Sequence, residues 1–185
     1  MTEEQLLSAI RENPQVFEEV FRRYYTPVFG YILRRTGNID DAADIAAETF
    51  YKAFVHIRKF EYRGISIKVW LYRIATNELN MFFRFRKKQL SVFSRWDAAT
   101  VQEFRNVLHH DREMFEAELK RHERYLDVLK SLKQMPVNYQ EVIALKYFES
   151  KSIREISEIT GRSEGTVKSL LPRGVKKLQL LCNQK

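Results

Sequence analysis

The chain has 185 residues, with 32 Lys and Arg against 24 Asp and Glu, 44% hydrophobic residues and 13% aromatics. This length allows one ordinary domain or two small ones and excludes a large multidomain enzyme, while the apolar content excludes a disordered polyelectrolyte. Cys182 is alone and so forms no internal disulfide, no run of about 18 apolar residues exists to cross a bilayer, and Thr2, Glu3 and Glu4 are the opposite of a secretory leader, so a reducing, cytoplasmic setting away from membranes is expected.

With only six Gly and four Pro, tight turns are few and the fold class expected is all-α. Thr2 with Gln5 has the form of a capping box for a short first helix. Asn13 and Pro14 then read as an N-cap and first-turn proline for a helix whose apolar stripe runs through Val16, Phe17, Val20, Phe21, Tyr24, Val28, Phe29 and Ile32 until Gly37 stops it. Pro27 should kink or break it. Asp40 or Asp41 can cap the next helix, with Ala42, Ile45, Ala46, Phe50, Ala53, Phe54 and Ile57 as its inward stripe. After a loop at 59–65 around Gly64, Ser66 can cap a third helix through Val69, Trp70, Ile74, Leu79 and Phe83, which ends in Arg84, Arg86, Lys87 and Lys88. The apolar period weakens from Ser91 to about Glu113, and a helix resumes before Lys120 and continues to Lys133. Pro136 opens another helix, with Val137, Val142, Ile143, Leu145 and Tyr147. Ser152 caps a short one with Ile153, Ile156 and Ile159. Thr160, Gly161 and Arg162 form a turn, and Ser163 caps a last helix carrying Val167, Leu170, Leu171, Val175 and Leu178.

The positive charge is concentrated in two blocks, net +6 over 61–95 and net +5 over 151–185, separated by an acidic 96–150 of net −2. Two basic surfaces suit two contacts with a polyanion, since Lys and Arg that neutralise phosphates release counterions; a pair of solvated basic helices is the plainer alternative. The second block coincides with two short helices joined by a glycine turn, the arrangement of a helix-turn-helix, whose second helix enters the major groove with its N-terminal side chains toward base edges. An ordinary helical hairpin would show the same spacing.

At this level of detail the residues resemble a family. Residues 137–178, above all Tyr147-Phe148, Ser152 to Ser157 and Gly161 to Ser169, are similar to region 4 of an extracytoplasmic-function (ECF) sigma factor of the sigma-70 family, a pattern shared in part with response-regulator DNA-binding domains. Residues 17–88 resemble sigma region 2: Asp40 to Ile45 with Glu48 and Phe50, then Phe60, Arg63-Gly64, Trp70 to Asn77 and the basic tail Arg84 to Lys88. The resemblance implies a region 2-like domain over 1–90 that binds core RNA polymerase and the −10 element, a linker over 91–118, and a region 4-like helix-turn-helix domain over 119–185 that binds −35 or upstream DNA. It further implies contacts to the clamp helices of the largest polymerase subunit through Asp41, Asp44, Glu48 and Lys52, and to the polymerase flap. The −10 DNA falls to Arg63, Arg73, Asn77, Arg84, Arg86, Lys87 and Lys88, and the −35 DNA to Arg162, Ser163, Glu164, Thr166, Lys168, Ser169, Arg173 and Lys176. An anti-sigma factor or a DNA-targeting recruiting protein is a further implied partner.

The residue chemistry agrees with these roles. Asp44, Glu48 and Lys52 beside apolar atoms form a polar-rimmed docking face, although each alone reads as ordinary helix solubility. Rings beside cations suit single-stranded DNA, because flipped bases stack while Lys and Arg follow the backbone. Trp70, on the apolar stripe, reads as core rather than as a base platform. Departures from the pattern are Ala47 and Met81 in place of common polar residues, and Leu170 and Pro172 at usual basic and histidine positions. Pro172 and Gly174 should weaken or bend the last helix, which would delegate part of upstream DNA reading to a recruiting partner. There is no P-loop, no G-x-G-x-x-G and no zinc spacing, and His109, His110 and Asp111 are adjacent residues that point to different faces, so neither enzymatic activity, small-molecule substrate, cofactor nor metal is expected. A dimeric helix-turn-helix regulator acting without polymerase, and an adaptor that recruits polymerase but reads little DNA, are the alternative readings.

Overall fold

The computed structural model describes residues 2–61, 64–85 and 123–183, and all regular structure among them is helical. Arg63, the tail Arg86, Lys87 and Lys88, the linker at 91–118 and His109, His110 and Asp111 lie outside the described residues. Helix α1 (Glu3–Glu12) starts with the reciprocal capping box: the Gln5 N–H donates to Thr2 Oγ1 at 3.3 Å and the Thr2 N–H to Gln5 Oε1 at 2.9 Å. Asn13 caps a 3₁₀ turn at Pro14–Val16 that leads into α2 (Phe17–Thr36). Gly37 ends α2 at φ +62°, a left-handed conformation that favours glycine, and the Lys133 side chain lies 3.0 Å from where a Cβ would sit.

Helix α3 (Ile39–His56) is capped by Asn38, whose Oδ1 accepts the Asp41 N–H at 2.9 Å. The expectation of Asp40 or Asp41 as cap is two or three residues too late; both carboxylates lie in the first turn, where they complement the helix dipole. Helix α4 (Ile67–Phe85) starts from Ser66, whose Oγ accepts the Val69 N–H at 3.2 Å. Helices α2, α3 and α4 pack into a bundle with Val20, Val28, Phe29, Ile32, Phe50, Leu71 and Leu79 in its core. The small residues Ala42, Ala46 and Ala53 let α3 approach α2 closely. Phe54, expected inside, is 45% exposed at the rim of this packing and meets Phe17 edge-on with centroids 5.3 Å apart.

In the second half α5 (Glu123–Gln134) is followed by α6 (Val137–Ile143), which begins at Pro136, and by a π turn over Ala144–Phe148. Helix α7 (Ile153–Thr160) carries the Ser152–Glu155 capping box and ends at Gly161, φ +69°. Ser163 Oγ then accepts the Thr166 N–H at 3.2 Å and starts α8 (Glu164–Asn183).

Neither internal proline interrupts its helix. Helix α2 runs through Pro27 and α8 through Pro172, so the break, one of the two outcomes expected at Pro27, does not occur, and the last helix continues past Pro172 and Gly174. Pro27 is flanked by buried Tyr24, Tyr25 and Val28, so tertiary packing overrides the lost hydrogen bond. Pro172 faces outward while Val167, Leu170, Leu171 and Gly174 are buried. A Cβ at Gly174 would lie 3.0 Å from Ile143 Cγ1 and 3.5 Å from Tyr139, so this glycine serves close packing of α8 on α6.

The two halves do not stand apart. Helices α2 and α4 pack against α5, α6 and α7, and the buried apolar residues form one continuous cluster through both halves.

Candidate functional site

Three outward surfaces and one buried seam carry the chemistry. The first surface is the outer side of α3. Asp44, Glu48, Tyr51 and Val55 share a face at helical spacing, with Tyr51 40%, Phe54 45% and Val55 47% exposed. Large apolar side chains exposed next to one another and rimmed by charge are the composition of a docking face. Asp44 points to solvent, whereas Asp41, Glu48 and Lys52 are only half-exposed. Lys52 Nζ bridges Glu48 Oε1 at 3.1 Å and Glu78 Oε1 at 2.8 Å, tying α3 to α4. Burial raises the Glu78 carboxyl above its usual range despite Lys52, because Glu78 is the more enclosed partner. At Lys52 burial acts downward, and the carboxylates of Glu78 and Glu48 outweigh it and hold the ammonium above its usual value. Sequence periodicity missed Tyr51 and Val55; the apolar pair beside Asp44 and Glu48 off the inward stripe was the available signal.

The second surface follows α4. Arg73, Asn77 and Arg84 are all exposed. At the start of this helix Trp70 and Phe60 stack with centroids 4.8 Å apart, and with His56, Lys59 and Glu61 they line an open recess of about 460 Å³. Trp70 thus rests on the core with one side and lines a recess with the other, a placement between the expected core residue and a base platform.

The third surface is the first half of α8 with the turn before it. Ser163, Glu164, Thr166, Lys168, Ser169, Arg173 and Lys176 are exposed on it, so one outward face collects almost all the residues expected there. Arg162 is the exception: it is half-buried and ion-paired with the fully buried Glu141 of α6. Leu170 is buried against the hairpin, which explains why a basic residue is absent there.

The seam between the halves was not legible in the sequence. Arg35 and Glu141 are both fully buried. Arg35 Nε donates to Gln140 Oε1 at 3.2 Å and Nη1 to Tyr31 Oη at 3.1 Å, while Gln140 Nε2 returns a bond to Arg35 O at 3.2 Å. Asn80 Nδ2 donates to Glu141 Oε1 at 3.2 Å. Arg34 pairs with Glu149, and the Tyr72 hydroxyl donates to the other Glu149 oxygen at 2.5 Å. Burial, reinforced by the Glu149 charge, pushes Tyr72 far up, so it is a proton donor at any physiological pH. Lys151, 3% exposed, lies 4.4 Å from the centre of the Tyr72 ring, and burial with the like charge of Lys68 lowers its pKa.

Residues 20–89 match the family described as Sigma-70 region 2, and residues 125–178 match Sigma-70, region 4. The chain is 27% identical over 168 residues to ECF RNA polymerase sigma factor SigM of Bacillus subtilis (strain 168), covering 90% of this chain and 95% of SigM. It is 30% identical to RNA polymerase sigma factor YlaC of the same organism, covering 84% of this chain and 86% of YlaC. In fold it is similar to CnrH solved in complex with the cytosolic domain of CnrY (TM-score 0.67, 20% identity, 99% of this chain and 98% of that one). It is also similar to the sigma factor RpoE solved with the anti-sigma factor NepR from Bartonella quintana (TM-score 0.62, 20% identity, 90% and 96%). No described helix is long and apolar enough to cross a membrane, and no described cluster of His, Cys, Asp or Glu could hold a metal ion. With both regions present in family order and matched relatives covering most of its length, the chain belongs to the ECF branch of the sigma-70 family, subunits that bind core RNA polymerase and direct it to promoter DNA for transcription initiation.

Proposed function

We propose a division of labour among the three surfaces, with residues 1–90 binding polymerase and −10 DNA, 91–118 linking, and 119–185 binding upstream DNA. The α3 face of Asp44, Glu48, Tyr51, Phe54 and Val55 docks on the clamp helices; its exposed apolar residues inside a charged rim are the observation that carries this assignment. Asp41 and Lys52 support the face, Lys52 through its bridge to Glu78 rather than by direct contact. On α4, Arg73, Asn77 and Arg84 follow the opened −10 strand, joined by Arg63, Arg86, Lys87 and Lys88, and the Phe60–Trp70 recess offers a ring surface for a flipped base. Catalysis resides in the polymerase; this chain contributes positioning and strand opening in the cytoplasm.

On the upstream side, Ser163, Glu164, Thr166, Lys168 and Ser169 present the start of α8 to the major groove, and Arg173 and Lys176 reach for phosphate. Leu170 is buried and Pro172 brings no hydrogen-bonding group, so base readout is confined to the first two turns. The remainder of promoter choice is left to a recruiting partner, because the last helix offers few base-reading groups beyond its first two turns. Transcription from a promoter template by core polymerase plus the chain tests the assignment. Charge reversal of Asp44 and Glu48 should abolish the transcript while leaving helical content intact; an undiminished transcript would remove the α3 face from the polymerase contact.

A further inference from the structure

Helix α1 lies outside the three outward surfaces, yet its two ends hold both ends of the connection between α3 and α4. In its first turn Glu3, half-buried, accepts the Ile67 N–H on Oε2 at 3.2 Å and the Tyr24 hydroxyl on Oε1 at 3.3 Å. Ile67 is the first residue of α4, so a carboxylate from 64 positions away satisfies a helix-start N–H and sits at the positive end of the helix dipole. In the last turn of α1, Arg11 Nη2 donates to Phe60 O at 3.1 Å, and Arg58 Nη2 donates to Arg11 O at 3.4 Å. Leu6, Leu7 and Ile10 are buried and seat α1 beside the 3₁₀ turn Ile57–Lys59 that precedes Phe60.

The residues held in this way flank the ring pair of the recess. Arg11 grips the carbonyl of Phe60 itself, and Glu3 grips Ile67, one turn of α4 ahead of Trp70. Between these two points Gly64 stands at φ +77° with no described atom within 4 Å of where a Cβ would sit, so packing does not fix the chain there from that side. The spacing of Phe60 and Trp70, centroids 4.8 Å apart, is therefore set from outside the connection, by α1. A displacement of about 1 Å is enough to spoil a positioned group.

We propose that Glu3 and Arg11 are positioning residues for single-stranded −10 DNA: by bracing the start of α4 and the backbone of Phe60 they hold the Phe60–Trp70 rings where a base can lie against them, and without them the chain still binds core polymerase but opens promoters poorly. The inference rests on the proposed base-receiving role of that recess, whereas the brace is a property of the free chain. Arg11 is exposed and Glu3 half-buried, and the apolar residues of α1 stay in place when either is truncated, so the loss falls on the placement of the rings rather than on the bundle.

The test compares the full chain with Glu3→Ala, Arg11→Ala and with the conservative pair Glu3→Gln, Arg11→Lys, which keeps an acceptor and a donor. Three readings are taken: affinity for core polymerase, promoter opening by the holoenzyme as permanganate reactivity of unpaired thymines, and acrylamide quenching of Trp70 in the free chain. For the quenching alone, Trp96→Phe leaves Trp70 as the single tryptophan. The alanine pair should leave core affinity unchanged, alter the quenching, and lower promoter opening by about tenfold, the scale of one lost charge-assisted hydrogen bond. The conservative pair should recover most of both losses. Opening and quenching unmoved by the alanine pair, a parallel fall in core affinity, or no recovery with the conservative pair each overturns the proposal. Should circular dichroism show that the alanine pair loses helix, Arg11→Ala alone, which keeps Glu3 and the apolar seat of α1, is read in the same way and decides. Trp70→Ala in the opening assay checks the recess separately: normal opening by that variant removes the recess from −10 capture and overturns the DNA role, while the quenching result still judges the brace.

Discussion

The outer face of α3 and the seam between the halves invert the usual distribution of side chains. On α3, Tyr51, Phe54 and Val55 are exposed although apolar, and at the seam Arg35, Glu141 and Lys151 are buried although charged. Both depart from what a freestanding helical bundle would choose, and for related reasons. The α3 face loses water when a partner covers it, so its exposed apolar area is affinity held in reserve. The seam's charges are satisfied by one another, so removing one partner strands the rest without water.

Breaking the seam from inside should have the largest effect. Glu141→Leu leaves Arg162 and Asn80 without their shared acceptor and Arg35 without its buried counter-charge, and a loss of about 3–5 kcal/mol is expected in urea unfolding, against no more than about 0.5 kcal/mol for Tyr51→Ala on the exposed face. Near-equal losses would mean that the seam charges are already hydrated. The α3 face sharpens the contrast in the opposite sense: Tyr51→Ala with Val55→Ala should leave the melting curve almost unchanged yet weaken retention of core polymerase by tenfold or more, the behaviour of an interface hot spot.

Next comes Gly174. Gly→Ala ordinarily favours a helix interior by up to about 1 kcal/mol, but here the new methyl meets Ile143 at 3.0 Å, so Gly174→Ala should destabilise by about 1–2 kcal/mol in the same denaturant series. A stabilised variant would show that α8 can move off α6 at no cost.

The helices and their ends were legible in the sequence because they depend on local chemistry: Thr2–Gln5, Asn13–Pro14, Gly37, Ser66, Ser152–Glu155, Gly161 and Ser163 all act where the capping rules put them. Expectations failed where tertiary packing decides. Pro27, Pro172 and Gly174 carry the local signature of a helix break, yet each lies in an unbroken helix held by its buried neighbours. Arg34 and Arg35 at the end of α2 carry no local signal of burial; only the approach of α6 and the π turn makes them interior. No single-chain periodicity records a partner that arrives from more than 100 residues away.

Two smaller effects separate the solvated from the enclosed charges further. Arg84→Ala, on the exposed side of α4, should lower the salt slope of promoter binding by about one unit and leave sequence preference intact. For Glu155, burial acts upward on the carboxyl but the Ser152 N–H and hydroxyl prevail and hold it below the ordinary 4.5. Its contribution is therefore full above pH 4.5 and is lost as pH falls through the folded-state value, so Glu155→Gln should flatten the acid limb of stability by a few tenths of a kcal/mol, the scale of a partly exposed cap.

The most direct measurement of the central claim is promoter-dependent transcription by core RNA polymerase reconstituted with the full chain, run beside the Asp44→Lys, Glu48→Lys variant. The account requires a discrete transcript with the unaltered chain, none with core polymerase alone, and none with the variant, although the variant keeps its helical content. A transcript that survives the double reversal would contradict the assignment of α3 as the polymerase-docking face, and no transcript from any promoter tested with the unaltered chain would contradict its role as the promoter-directing subunit.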